Sequence, residues 1–161
     1  MRPGEDKPKT GTLERKRIHV DPVAYYGVVG DIGYINLSSF TAESAQAVKT
    51  ALLQLMSEEA IQALIIDVRD NGGGVVEDCL NMLNLFLPKG ELLLTMKGRT
   101  PQSERTYRST QDPLNLEIPI AILVNQNSAS ASEILAGTIQ DYDRGVVVGT
   151  RTYGKGLVQS T

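Results

Sequence analysis

The hydrophobic positions change period several times along the chain, and each change marks an element. Residues 16–29 are rich in β-branched and aromatic side chains, residues 28–31 (V-V-G-D) form a turn, and 32–40 resume a strand pattern. Two paired strands are therefore predicted to open the domain. Thr41 can cap a helix with Glu43 in its first turn, after which Ala45, Val48, Leu52, Leu55 and Met56 recur on one face. Residues 63–68 (A-L-I-I-D-V) are an almost unbroken apolar run, the signature of a strand covered on both faces, and they lead through R-D-N-G-G-G (69–74) into a second helical pattern from Val75. Weaker strands are predicted near 91–96 and 105–108. The order then repeats: a strand at 120–124, a polar turn, a helix over 130–141, and a strand at 145–149, after which residues 156–161 form a further strand-like run. Strands alternating with helices imply an α/β fold with a mainly parallel sheet, whose ligands sit at the carboxyl ends of the strands.

Composition narrows the function classes. The 161 residues fit one domain, and 41% hydrophobic content suffices for a core. Sixteen basic and nineteen acidic residues give a net charge of −3 and are mixed along the chain, so no basic stripe points to nucleic acid and no polybasic run to anionic lipid. Residues 1–9 are polar and lack the apolar stretch of a signal peptide, and no segment has the ~18 apolar residues of a membrane span. Cys79 is the single cysteine, so an internal disulfide is excluded. Its place on a stripe with Met82, Leu83 and Phe86 predicts a buried structural thiol.

Two turns, N-G-G-G (71–74) and N-Q-N-S-A-S (125–130), lie at strand ends and feed helix amino termini, where free N–H groups and the helix dipole favour an anion. A phosphate loop is a poor fit: residues 149–155 satisfy the first seven Walker positions, but Gly156 stands where Ser or Thr is needed and no helix follows. No G-x-G-x-x-G follows an early strand, which leaves dinucleotide binding unsupported. His19 is the only histidine, so an H-E-x-x-H zinc site is impossible; its strand-like surroundings predict a surface or edge position. Any serine nucleophile then needs another base. A neutral lysine can serve, provided burial or nearby positive charge lowers its pKa from about 10.4. Lys155, between Gly154 and Gly156 and just past an apolar strand, is the best placed. The nucleophile candidates are Ser128, Ser130 and Ser132, among which spacing alone does not choose. Ser130 with Glu133 also forms an S-x-x-E capping box, so a purely structural role stays open.

The run N-S-A-S-A-S-E-I-L-A-G (127–137) followed by G-K-G-L-V-Q (154–159) resembles the active-site signature of the carboxyl-terminal processing (tail-specific) peptidases. G-Y-I-N-L-S-S-F (33–40) and D-V-R-D-N-G-G-G (67–74) support the resemblance, which extends from about residue 17 to the end. It implies a crotonase-like spiral of β-β-α units and a serine endopeptidase with a Ser–Lys dyad that cleaves proteins near exposed C-termini. By resemblance the nucleophile is Ser130, the base Lys155 and its orienting partner Gln159, with an oxyanion hole from the backbone of Ala131 and of Gly73 or Gly74. No cofactor or metal is implied. A residue four places beyond Lys155 in a straight strand would lie about 13 Å away, so Gln159 can reach the lysine only if the chain bends near Gly156. Gly72 stands where many relatives have proline, and Asn127 where many have glycine. The resemblance also assigns residues 1–16 to a linker or the tail of a PDZ domain and 17–161 to a peptidase core truncated at its C-terminus. It further implies an extracytoplasmic setting, the periplasm or cell envelope, and leaves room for a homo-oligomer. Two other readings share the pattern: a non-catalytic protein-binding module of the same fold, and an anion- or nucleotide-binding domain using the glycine turns.

Overall fold

The computed structural model describes residues 11–16, 18–58, 60–114 and 117–158. Its elements in chain order are β1 (Val23–Val29), β2 (Ile32–Leu37), α1 (Ser44–Glu58), β3 (Ala63–Asp67), α2 (Val76–Leu83), β4 (Leu92–Met96), β5 (Arg105–Arg108), β6 (Ile120–Val124), α3 (Ala131–Asp141) and β7 (Val146–Gly149). Five strands form one sheet in the order β1-β2-β3-β6-β7. Only the β1–β2 pair is antiparallel; β2–β3, β3–β6 and β6–β7 are parallel. β4 and β5 form a separate antiparallel ribbon. The α/β class and mainly parallel sheet expected from the alternating pattern are therefore present.

Alternation along the strands decides where the core lies. Ile35 and Leu37 on β2, Leu64 and Ile66 on β3, and Ile120, Ile122 and Val124 on β6 are all buried on one face. The helices cover that face as a row, α1 against α2 and α2 against α3. Leu52, Met82, Leu83, Leu135 and Ile139 fill the space between. Each such side chain contributes about 1.5–3 kcal/mol through burial. The opposite face is only partly covered: Tyr34, Ile65, Ala121 and Leu123 are half-buried. The continuous apolar run of β3 thus overstates its cover, because Ile65 does not face the helices.

Three local expectations need correction. β1 starts at Val23, not near residue 16, because β2 ends at Leu37, the partner of Val23, and residues before it have no strand to pair with. His19 lies in this exposed, unpaired stretch, with Nδ1 3.2 Å from a Glu43 carboxylate oxygen. α1 begins at Ser44, although Thr41 does act as a cap: its Oγ1 accepts the Glu43 N–H at 3.2 Å. Residues 156–158 form no strand, since the chain turns at Gly154 (φ 78°) and Gly156 (φ 54°) after leaving β7. Cys79 is fully buried, as its helical stripe predicts. Its thiol donates to the Ala131 carbonyl at 3.2 Å, and burial pushes its pKa far up.

Candidate active site

β3, β6 and β7 are neighbours and parallel, so their following loops, 68–75, 125–130 and 150–156, emerge side by side at one edge of the sheet. The first two carry the glycine turn and the triple-serine motif. Their joint is a set of buried hydrogen bonds. Ser128 Oγ donates to the Val68 carbonyl at 2.7 Å. Ser132 Oγ donates to the Asn71 carbonyl at 2.8 Å, and the Ala129 N–H reaches the same carbonyl at 3.1 Å. Ser128 and Ser132 are wholly buried, whereas Ser130 is half-buried and lines the neighbouring cavity. The structure thus separates three serines that spacing left equivalent: the outer two fasten the loops together and the middle one faces open space.

Ser130 stands at the junction between the β6 loop and α3 with φ 57° and ψ −114°. A non-glycine residue there costs on the order of 1–3 kcal/mol and persists only where its surroundings enforce it. A strained strand-to-helix turn that lifts a serine out of the backbone is the arrangement used to expose nucleophiles. Of the first α3 N–H groups, those of Ser132 and Glu133 are taken by the Ala129 and Ser130 carbonyls, which leaves the Ala131 N–H without an acceptor among the described residues.

Glu133 completes the site in a way its capping-box role only partly foretold. Its carboxylate accepts four hydrogen bonds: Ser130 N–H at 2.9 Å and Lys155 N–H at 3.0 Å on Oε2, Thr152 Oγ1–H at 2.8 Å and Gly154 N–H at 2.6 Å on Oε1. Burial pushes its pKa up, but these donors outweigh that and hold the carboxyl below its ordinary range. The loop after β7 is thereby tied to the serine turn. What reaches the site in this arrangement is the Lys155 backbone. The Lys155 side chain is exposed, and among the described residues its ammonium bonds neither Ser130 nor any carboxylate. Gln159 lies outside the described residues.

The glycine turn lies against the serine. A Cβ on Gly73 would come within 2.8 Å of Ser130 Cβ and 3.0 Å of Ala131 N, at a φ of 97° that favours glycine. The Gly73 N–H is engaged by Asn71 Oδ1 at 2.9 Å, and the Gly73 carbonyl accepts from Phe40 N at 3.0 Å. In a trans peptide the following N–H, that of Gly74, points opposite to this carbonyl, away from Phe40. Among the described residues neither Gly74 N–H nor Ala131 N–H has a protein acceptor. Below the turn, Asp67 is buried; burial pushes its pKa up, but bonds from Arg69 and Tyr34 hold it below the usual carboxylate range. Beside Ser130 opens a cavity of about 700 Å³, lined by Leu94, Met96, Ile134 and Leu157 as well as Glu133. Among the described residues no group of histidine, cysteine and carboxylate side chains is arranged to hold a metal ion.

The site therefore presents a serine of strained backbone at a helix start, with N–H groups that have no acceptor among the described residues nearby and an apolar cleft alongside. Comparisons with known proteins place it more closely. The description "Peptidase family S41" matches residues 31–161, and the chain belongs to that family. It is 36% identical over 160 residues to a carboxy-terminal-processing protease of Bartonella bacilliformis, covering 98% of this chain and 36% of that protein. It is 37% identical over 163 residues to a carboxyl-terminal-processing protease of Synechocystis sp., covering 98% and 37%. The chain thus spans little more than a third of these relatives. Among solved structures, it is similar to the photosystem II D1 C-terminal processing protease, with a TM-score of 0.75 and 30% identity over 91% of this chain and 40% of that one.

Proposed function

We propose that this chain is the catalytic core of a serine endopeptidase that cleaves proteins near exposed C-termini through a Ser130–Lys155 dyad. The observation that carries the reading is the backbone of Ser130, held at φ 57° at the start of α3 beside two N–H groups that have no acceptor among the described residues. Neutral Lys155 takes the Ser130 proton as Oγ attacks the scissile carbonyl. The resulting oxyanion is received by the N–H groups of Ala131 and Gly74; Gly73 is disfavoured because Asn71 already engages its N–H. The Lys155 ammonium then protonates the leaving amine, and a water that gives its proton back to Lys155 releases the acyl group. Gln159 orients the lysine, a role that needs a bend near Gly156, where φ is 54°. The apolar cleft suits an apolar segment of substrate.

In this reading the sheet and helices belong to a crotonase-like spiral, residues 1–16 are a linker or the end of a PDZ domain, and the protein works outside the cytoplasm, in the periplasm or envelope. No described helix is long and apolar enough to cross a membrane. Exposure of the Lys155 side chain favours one second reading, a non-catalytic protein-binding module of the same fold. One experiment separates them. Full-length enzyme is treated with a serine-directed peptidyl fluorophosphonate, which loses fluoride to leave a stable phosphonate ester, and the adduct is mapped by mass spectrometry. An adduct on Ser130, with hydrolysis lost in Ser130→Ala, supports the peptidase; no adduct and no Ser130-dependent hydrolysis supports the binding module.

A further inference from the structure

The two N–H groups proposed to receive the oxyanion lie on separate loops, one after β3 and one after β6, so neither loop alone sets their spacing. Buried bonds from Ser128, Ala129 and Ser132 hold the base of the joint. Its outer rim is closed by a second, exposed set. Asp70 Oδ1 accepts both Asn125 Nδ2–H at 2.9 Å and Asn127 Nδ2–H at 2.7 Å. In return Asn125 Oδ1 accepts the Asp70 N–H and the Asn127 N–H, each at 3.0 Å.

We infer that Asp70, through Asn125 and Asn127, is a positioning residue that sets the spacing of the oxyanion hole; this rests on the serine peptidase reading. Three observations support it. Asp70 adopts φ 62°, a left-handed conformation that carboxylate and amide residues tolerate and that turns its side chain across to the other loop. Asp70 and Asn127 are exposed, so packing against the core does not explain their arrangement. The bonds also fall at the start of each critical segment, Asp70 just before Asn71 and Gly73, and Asn127 just before the Ser128–Ser130 turn. A relative shift of the two loops would move Gly74 N–H away from Ala131 N–H without disturbing the cleft that binds the peptide. The consequence belongs to the chemical step, because donors aimed at a developing oxyanion act in the transition state.

The geometry separates charge from position. Both amides use the same oxygen, so Asp70→Asn keeps an acceptor for each, whereas Asp70→Ala removes it. In the full-length enzyme, Asp70→Ala is expected to lower kcat roughly 10- to 100-fold with KM within about twofold, since a donor misplaced by about 1 Å can cost on that order. Affinity for a peptide boronate, which forms a tetrahedral adduct, should fall in parallel, and Asp70→Asn should stay within about threefold of wild type. Amide exchange at Ala129, whose N–H bonds the Asn71 carbonyl across the joint, should accelerate in Asp70→Ala while the melting temperature confirms a folded protein. If that variant melts below the assay temperature, Asn125→Ala, which removes the partner of both the Asp70 N–H and the Asp70 carboxylate, is judged by the same criteria. Unchanged kcat, a change in KM alone, or an Asp70→Asn as impaired as Asp70→Ala overturns the inference. Ser130→Ala is the control for the peptidase reading: if it still hydrolyses peptide, that reading falls, and the positioning role is decided by amide exchange, where unchanged rates overturn it.

Discussion

Ser130 and Lys155 give their backbone N–H groups to the same oxygen, Glu133 Oε2, at 2.9 and 3.0 Å. The other oxygen receives Thr152 and Gly154, so a carboxylate is the only side chain of this shape that accepts all four donors. Glu133→Gln keeps one oxygen and turns an NH₂ group toward two donors. Peptide turnover is expected to fall about 10- to 100-fold, because the loop carrying Lys155 loses its tie to the serine turn.

The same carboxylate predicts an acid-sensitive site. Its folded pKa lies below the ordinary 4.5, so its stabilising contribution is present above that value and is lost as pH falls through the lower folded one. Thermal melts from pH 7 downward should show wild type losing its advantage over Glu133→Gln below about pH 4.5. A gap between the two proteins that stays constant with pH would show that the carboxylate charge is irrelevant to the loop.

The three serines should divide stability from activity. Ser132→Ala removes one buried bond and Ser128→Ala two, since Ser128 Oγ also accepts the Asn125 N–H at 3.0 Å, but the Val68 carbonyl still accepts from Asn71 N and the Asn71 carbonyl from Ala129 N. Ser132→Ala is therefore expected to cost about 1 kcal/mol in denaturant unfolding and Ser128→Ala about 2 kcal/mol, each leaving much of the activity. Ser130→Ala should abolish turnover. Ser130→Gly, also inactive, should be about 1 kcal/mol more stable than Ser130→Ala, since glycine relieves the positive φ.

The α/β class, the mainly parallel sheet and the helix faces are legible because burial follows period: strands alternate at two and helices at 3.6, and Cys79, Met82, Leu83 and Phe86 fall on one buried stripe as their spacing indicates. Contacts between loops were not legible. The capping-box spacing finds the Ser130–Glu133 bond, but nothing local says that Glu133 also gathers Thr152, Gly154 and Lys155, which the parallel placement of β6 and β7 brings to it. Likewise Asp70 reads as an ordinary turn residue until β3 and β6 become neighbours and Asn125 and Asn127 arrive opposite it. The extent of β1 was overread because β-rich composition does not show where a strand runs out of partner.

Lys155→Arg keeps the positive charge and the backbone N–H held by Glu133, yet a guanidinium stays protonated and cannot accept the serine proton. Turnover should be lost with the fold intact, as read by peptide hydrolysis and a melting temperature near wild type. Substantial residual activity would remove Lys155 from the role of base.

The glycine turn offers a graded test, because its three members face different surroundings. Gly72 has no heavy atom near a prospective Cβ and no positive φ, so Gly72→Ala should leave stability and turnover within about twofold of wild type. Gly74 has φ 143°, and a Cβ there would overlap the Phe40 carbonyl, which is bonded to Val75 N at 2.9 Å. Backbone cannot move aside as a side chain can, so Gly74→Ala should destabilise by about 2 kcal/mol or more and cripple turnover. Gly73→Ala is the informative intermediate. Its Cβ would press 2.7 Å from the Ala129 carbonyl and 2.8 Å from Ser130 Cβ, directly under the proposed nucleophile. Relief there displaces the serine turn itself, so kcat should fall well beyond the loss of stability, whereas binding of an uncleaved peptide in the cleft should hold. Measuring kcat, peptide affinity and unfolding free energy for all three variants checks the order Gly72, Gly73, Gly74 in stability. A Gly73→Ala enzyme with normal kcat would mean that the turn does not bear on Ser130 during catalysis.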